Sequence, residues 1–390
     1  TAKPVVNGRE VMERIRGERD RFVGFVLDDI ENIDQKHHLR NHAKFLDDHR
    51  LEVGEEIIEA KSVVIATGSS PKLMPMFKGL GDRLIVNDDV FEWETLPESV
   101  AVFGPGLIGI ELGQALHRLG VRIRVFGRSG SLTPLSDMAI RDYAEKVFQA
   151  EFPLDTKANL HGLEREGDQV KIRFVDREDG KEKEENFEYV LAATGRSPNV
   201  INLGLENTSL ELDSREVPVF DPNTMQCGDS SIFIAGDVNN TMLLLHEAAD
   251  EGRIAGDNAG RFPDIKPGMR RSPISVVFCD PQIAMVGQSW GELKGQENVV
   301  VGKLSFEGQG RSRVMLKNKG LMHIYADRTS GLFLGSEFIG PQAEHLAHLL
   351  SWAHQQKMKI PQMLEMPFYH PVIEEGLRTG LSDVNDQLSL

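Results

Sequence analysis

Residues 100–128 constrain the fold more than any other stretch, because an apolar run, a tight glycine turn, an amphipathic run and a second apolar run follow one another without a gap. Residues 100–103 have the pattern of a buried strand. Gly104-Pro105-Gly106-Leu107-Ile108-Gly109 follows as a GxGxxG turn, then a helix over 108–119 and a second strand over 122–126. Two parallel strands need a crossover to become neighbours, so this order predicts a βαβ unit. Within such a unit the first glycine allows the turn, the second lets the backbone approach a pyrophosphate, and the third lets helix and strand pack closely. The helix amides then face the phosphates. Gly104, Gly106 and Gly109 are therefore expected to bind a dinucleotide.

The residue that ends the second strand selects between dinucleotides. A carboxylate there bonds the ribose hydroxyls, whereas an arginine nearby accommodates a 2′-phosphate. Here Gly127 and Arg128 occupy that place. The planar guanidinium fork of Arg128 suits a phosphate, so the pattern favours NADP over NAD, with a plain surface arginine as the alternative.

Composition narrows the rest. A chain of 390 residues exceeds one ordinary core and is expected to divide into several domains. Its 44 basic and 60 acidic residues give a net charge of −16, which opposes binding to nucleic acid or anionic membranes. No run reaches the roughly 18 apolar residues of a membrane span. Thr1-Ala2-Lys3-Pro4 has no signal pattern, so a cytoplasmic protein is expected. Cys227 and Cys279 fit neither a metal pattern nor a disulfide framework and are taken as small apolar residues; no metal site is expected. The lack of an initiator methionine, and of a strand-turn-helix unit before Arg9, suggests a fragment or a processed form.

Along the chain, Val11, Ile15, Phe22, Phe25 and Val26 predict an amphipathic helix over 8–29. Short strands are expected at 43–45, 51–53 and 57–60. A buried strand, Ser62-Val63-Val64-Ile65-Ala66, then ends in Thr67-Gly68-Ser69. Beyond the glycine turn, a helix near 137–150 and polar antiparallel strands over 157–189 follow, with the charged run 181–185 as a solvated turn. Two further strand ends, Ala193-Thr194-Gly195-Arg196 and Ile234-Ala235-Gly236-Asp237, echo the first, and a helix over 243–258 follows the second. After the break at 263–273, strands at 274–278, 299–306, 321–326 and 332–339 precede helices at 341–357 and 361–367, which argues for a separate α+β domain. The glycine- and arginine-rich segment 306–313 is expected to be a strand turn rather than an anion loop.

Near the C-terminus, His370 is followed five residues later by Glu375. A histidine titrates near neutrality, and a carboxylate at that spacing can hold one ring nitrogen and fix the tautomer.

In order and spacing these motifs resemble the FAD-dependent pyridine nucleotide-disulfide oxidoreductases over nearly the whole chain. The resemblance implies an α/β fold with two Rossmann-like FAD/NAD(P)-binding domains, the first incomplete, plus a C-terminal α+β dimerisation domain. The matching boundaries are 1–80 for a partial FAD domain lacking its first βαβ unit, 81–206 for the NAD(P) domain, 207–267 for the returning FAD segment and 268–390 for the interface domain. It further implies FAD contacts at Ala66, Thr67, Gly68, Ser69, Gly236 and Asp237, cofactor contacts at Gly195 and Leu245, and Glu111 near the nicotinamide. His246 is implied to be structural or flavin-adjacent. Tyr369-His370-Pro371-Val372-Ile373-Glu374-Glu375 resembles the interface motif, in which His370 is the acid–base for a dithiol and reaches the flavin of the partner subunit of a homodimer. The implied activity is dihydrolipoyl dehydrogenase-like oxidation of a small dithiol or lipoyl-protein, coupled through FAD to NAD(P)+. NADPH-dependent disulfide reduction and soluble transhydrogenation are alternatives within the class, and a non-catalytic nucleotide-binding or dimerisation piece is one outside it. The sequence departs from the family in three respects: it contains neither the flavin GxGxxG nor the CxxxxC pair, Tyr369 stands where lipoamide-specific members often carry a second histidine, and Val372 replaces the usual threonine.

Overall fold

A strand covered on both faces must be apolar along its whole length, and every residue of Ser99–Phe103 is buried. The computed structural model describes residues 5–177 and 179–389, so the N-terminal reading at Thr1-Ala2-Lys3-Pro4 lies outside the described residues, as do Glu178 and Leu390. Two compact units emerge. One holds the residues up to Ile15 with Leu73–Thr194 and Ser272 onward, and the other holds Arg16–Lys72 with Gly195–Arg271.

In the first unit Ser99–Phe103 is the middle strand of a five-stranded parallel sheet in the order Leu84–Ile85, Tyr189–Ala192, Ser99–Phe103, Arg122–Phe126, Leu154–Asp155. The chain leaves Ser99–Phe103 toward Arg122–Phe126 on one side and returns to Tyr189–Ala192 on the other. That reversal opens a crevice at the carboxyl end of the central strand, where open α/β sheets bind ligands. The helix Leu107–Arg118 covers the sheet with Ile110 and Leu116 buried, and Asp137 caps Met138–Gln149 by accepting the Ala139 N–H at 2.9 Å.

Asn159–Glu166, Gln169–Val175 and Glu182–Phe187 form an antiparallel sheet. The charged run expected as a turn lies largely in its third strand. Its alternating charges find partners, Lys183 with Asp176 at 2.8 Å and Glu185 with Arg124 at 2.8 Å, so a strand accommodates them.

The remainder of this unit is a five-stranded antiparallel sheet in the order Ile274–Val277, Gln282–Gly287, Phe333–Gly340, Leu321–Asp327, Val299–Ser305. Its helices include Ala343–Gln355, Ile360–Leu364 and Glu375–Asn385. The segment expected to be a strand turn contains a short helix, Gly310–Val314, because the Gln309 side chain accepts the Ser312 N–H at 2.7 Å and the buried Ser312 hydroxyl donates to the Phe306 carbonyl at 2.7 Å. Two buried carboxylates join this part to the parallel-sheet part. Glu337 accepts the N–H groups of Ser136, Asp137 and Trp290 at 2.7–2.8 Å, and Asp137 accepts His323 Nδ1 at 2.6 Å and the Tyr325 hydroxyl at 3.1 Å.

In the second unit Val63–Ile65 pairs in parallel with Ile232–Ile234, and Ser69–Pro71 pairs antiparallel with Arg196–Pro198. Ile65, Ile232, Ile234 and Phe45 share one core, and Phe233 packs with Ile254 from the helix Leu245–Arg261 in another. The N-terminal helix forms as Gly8–Glu31, but Met12 is its one buried residue among those described, and Phe22, Phe25 and Val26 are exposed. Periodicity was enough to predict the helix; no described element covers the apolar side chains of its later turns.

Candidate functional site

Three positions carry the sequence-derived site residues. At the first, the carboxyl end of Ser99–Phe103, a Cβ on Gly104 (φ +107°) would overlap the Ala193 carbonyl oxygen, and one on Gly109 would overlap the Gly104 carbonyl oxygen. Both must be glycine for packing reasons. A Cβ on Gly106 would meet no protein atom within 4 Å, and Gly106 opens the helix Leu107–Arg118 without a side-chain cap. The turn is closed where the protein needs it closed and open where a pyrophosphate would approach, so these residues fit NAD(P).

The end of the second strand adds a steric fact. A Cβ on Gly127 would lie 2.7 Å from Pro105 Cγ and 2.8 Å from the Thr156 carbonyl oxygen. A ribose-binding carboxylate has no room there. Arg128 is exposed, and its guanidinium has no hydrogen-bond or ion-pair partner among the described residues. Glu111, on the same helix, accepts the Phe278 N–H at 2.7 Å; burial pushes its pKa up, partly opposed by that bond.

The second position joins three strand ends. Thr67 donates its hydroxyl to the Asn199 carbonyl at 2.7 Å, and Asn199 Nδ2 returns a bond to the Thr67 carbonyl at 2.9 Å. Ser69 Oγ donates to Asp237 Oδ2 at 2.8 Å and accepts Arg196 Nε at 2.7 Å. Gly236 positions Asp237 through its N–H, which donates to the buried Glu251 at 2.9 Å. Gly68 and Gly195 each have no protein atom within 4 Å of a built Cβ. Ala66 precedes this turn, and Leu245, 88% exposed, begins the following helix. The result is a small polar cradle with open glycine walls, which fits the polar, phosphate-linked side of a flavin dinucleotide. The structure brings Thr67, Ser69 and Asp237 together through Asn199 and Arg196, which the sequence reading did not single out. Arg196 begins the strand Arg196–Pro198 and Asn199 follows its end. His246, also on this helix, is 3.9 Å from Glu247.

At the third position His370 Nδ1 lies 2.9 Å from Glu375 Oε1, and Glu375 Oε2 accepts the Val372 N–H at 3.2 Å. The His370 bond and then the Val372 N–H hold the Glu375 carboxyl below its usual range, so it stays charged and favours the tautomer with hydrogen on Nδ1. The His370 side chain is 81% exposed, which leaves Nε2 open to an incoming group. Helix Glu375–Asn385, absent from the sequence reading, fixes the carboxylate in its first turn.

Cys227 and Cys279 are buried, and burial pushes each thiol up to about 12. They are inert packing residues, as expected. Among the described residues no helix is long and apolar enough to cross a membrane.

Residues 11–252 match the family model described as pyridine nucleotide-disulphide oxidoreductase, and residues 274–380 match its dimerisation domain. The chain is 30% identical to a dihydrolipoyl dehydrogenase of Chlamydia pneumoniae, over 83% of this chain and 68% of that protein. A dihydrolipoyl dehydrogenase of Bacillus subtilis is 29% identical over 83% of this chain and 69% of its own length. Among solved structures, the HOCl-induced flavoprotein disulfide reductase RclA from Escherichia coli superposes with a TM-score of 0.74 at 20% identity, covering 88% of this chain and 78% of that one.

Proposed function

Because the chain belongs to the pyridine nucleotide-disulphide oxidoreductase family, we propose that it serves a homodimeric flavoenzyme of the dihydrolipoyl dehydrogenase type, oxidising a small dithiol or lipoyl-protein to the disulfide. The observation that carries this reading is the His370–Glu375 pair, charged at one end and open at the other. Oxidising a dithiol removes two electrons and two protons; the electrons and one proton would leave as hydride to NAD(P)+, and the second proton to solvent. Bound FAD and nicotinamide supply the two-electron transfer of this family.

Each side chain then has a task. Glu375 keeps the His370 proton on Nδ1, so the Nε2 lone pair takes a thiol proton and returns it in the reverse direction. Gly104, Gly106 and Gly109 would cradle the pyrophosphate, Arg128 would take a 2′-phosphate, and Glu111 would serve the nicotinamide. Ala66, Thr67, Gly68, Ser69, Gly195, Gly236, Asp237 and Leu245 would hold the flavin. In domain terms residues 1–80 and 207–267 would serve FAD, joined there by Gly195 and the Arg196–Pro198 strand at the close of the 81–206 NAD(P) part, and 268–390 would serve the dimer. A cytosolic setting belongs to the same reading, in keeping with two buried, unpaired cysteines.

A second reading has its own support. With no room for a carboxylate at Gly127 and a free Arg128, the site suits NADPH, and disulfide reduction is the direction NADPH drives. The test is turnover of the flavin-loaded dimer with dihydrolipoamide and NAD(P)+, set beside glutathione disulfide and NADPH. Dihydrolipoamide turnover supports the first reading and glutathione disulfide turnover the second. Neither, from protein with bound flavin, rejects both.

A further inference from the structure

In a chain of net charge −16, residues 311–319 contain Arg311, Arg313, Lys317 and Lys319 and no carboxylate. All four are exposed, and among the described residues only Lys317 has an ion-pair partner, Asp280 at 2.6 Å. Between these cations Val314 and Leu316 are 74% and 86% exposed. Leu316 has φ +55° just beyond the helix Gly310–Val314, where its N–H donates to the Arg313 carbonyl and the Lys317 N–H donates to the Ser312 carbonyl. That is the helix-ending position glycine usually fills, because a Cβ crowds left-handed backbone. Leucine here strains the backbone and buries almost nothing, so the fold gains nothing from it. A strained residue joined to exposed apolar surface points to a role outside the fold.

The turn is also held firmly from below. Met315 packs on the core, Ser312 is buried, and Gln309 Nε2 donates to the Val372 carbonyl at 2.7 Å, in the same turn as His370. Four cations and two apolar side chains are thus displayed on an anchored support. Phosphate backbones would use the cations and leave Val314 and Leu316 idle; an acidic polypeptide with an apolar anchor uses both. We propose that residues 311–319 are a docking surface for an acidic polypeptide segment bearing an apolar side chain. The proposal rests on charge, strain and exposure at this turn and stands apart from the roles given to His370 and the nucleotides.

Fluorescence anisotropy of the full chain tests it with three labelled probes: a peptide repeating Glu-Glu-Leu, an all-Glu peptide of equal length and a thymidine oligonucleotide of equal charge. The Glu-Glu-Leu peptide should bind most tightly. Leu316→Gly should weaken it by about tenfold, the scale of one lost apolar anchor, while the melting temperature holds or rises as strain is relieved. Arg311→Ala with Arg313→Ala should weaken both peptides and flatten their salt dependence. Equal peptide affinity for Leu316→Gly and wild type overturns the proposal, as does oligonucleotide binding as tight as that of the Glu-Glu-Leu peptide. Self-association that Leu316→Gly abolishes would make a second copy of the chain the occupant and also overturn it.

Discussion

Gly106→Ala should separate the ligand from the fold. Gly106 has φ −90°, a backbone open to any residue, and no protein atom within 4 Å of its missing Cβ. Alanine is a poorer helix cap than glycine, yet it lowers the entropy of the unfolded chain, and the two effects offset to within about 1 kcal/mol. The melting temperature should move by roughly 2 °C or less. The new methyl would occupy the space a pyrophosphate needs to reach the first helix amides. Losing one charge-assisted hydrogen bond costs about 1.5–3 kcal/mol, a roughly 10- to 100-fold rise in Kd. Titration calorimetry with NADPH and NADH, beside thermal melts, measures both quantities. Gly109→Ala is the control, because its Cβ overlaps the Gly104 carbonyl oxygen and should cost about 1–3 kcal/mol in stability as well. A Gly106→Ala protein that melts normally and binds either nucleotide at wild-type affinity would refute the reasoning.

Other outcomes are equally specific. Arg128→Ala should weaken NADPH binding by about tenfold more than NADH binding, one charged contact being at stake; equal losses would return Arg128 to the solvated surface. Asp137→Asn keeps a capping side chain but removes the buried carboxylate that bonds His323 and Tyr325, and should cost about 3 kcal/mol in urea melts at neutral pH. Burial opposes the Asp137 charge, yet its bonds to His323, Ala139 and Tyr325 leave its pKa lowered. Its contribution is therefore present above the unfolded value near ~3.9 and fades as pH falls through the lower folded value, so the gap to Asp137→Asn should close in acid; a gap independent of pH would contradict the assignment. Thiols pushed up to about 12 should react with iodoacetamide at pH 8 roughly a thousandfold more slowly than a free cysteine, and rapid labelling of the native chain would show that Cys227 or Cys279 is reachable.

What was legible in the sequence was what local order dictates. The strand at Arg122–Phe126 and the glycine turn before it were found because period and punctuation are local signals. The strand Gln282–Gly287 was missed because it follows Pro281 and its short run, buried at Ile283, Ala284 and Val286, lacks alternation. Helix Glu375–Asn385 was missed because the stretch drew notice for His370, although Leu377, Leu381 and Val384 recur at helical steps. Glu337 and Asp137 could not be singled out, since nothing local marks a carboxylate that will be buried among amides from distant segments. Likewise Gly127 offered the absence of a carboxylate, and only the placement of Pro105 and Thr156 supplied the reason.

The proton role of His370 is the centre of the proposed function, and the ratio of two activities in His370→Gln tests it most directly. Dithiol-driven NAD(P)+ reduction requires a base at Nε2, whereas NAD(P)H-driven reduction of a dye through the flavin does not. The account predicts that His370→Gln loses about 100-fold or more of the first activity, the usual worth of a general base, while it keeps bound flavin and the second activity. Dithiol turnover equal to that of the wild-type dimer would contradict it.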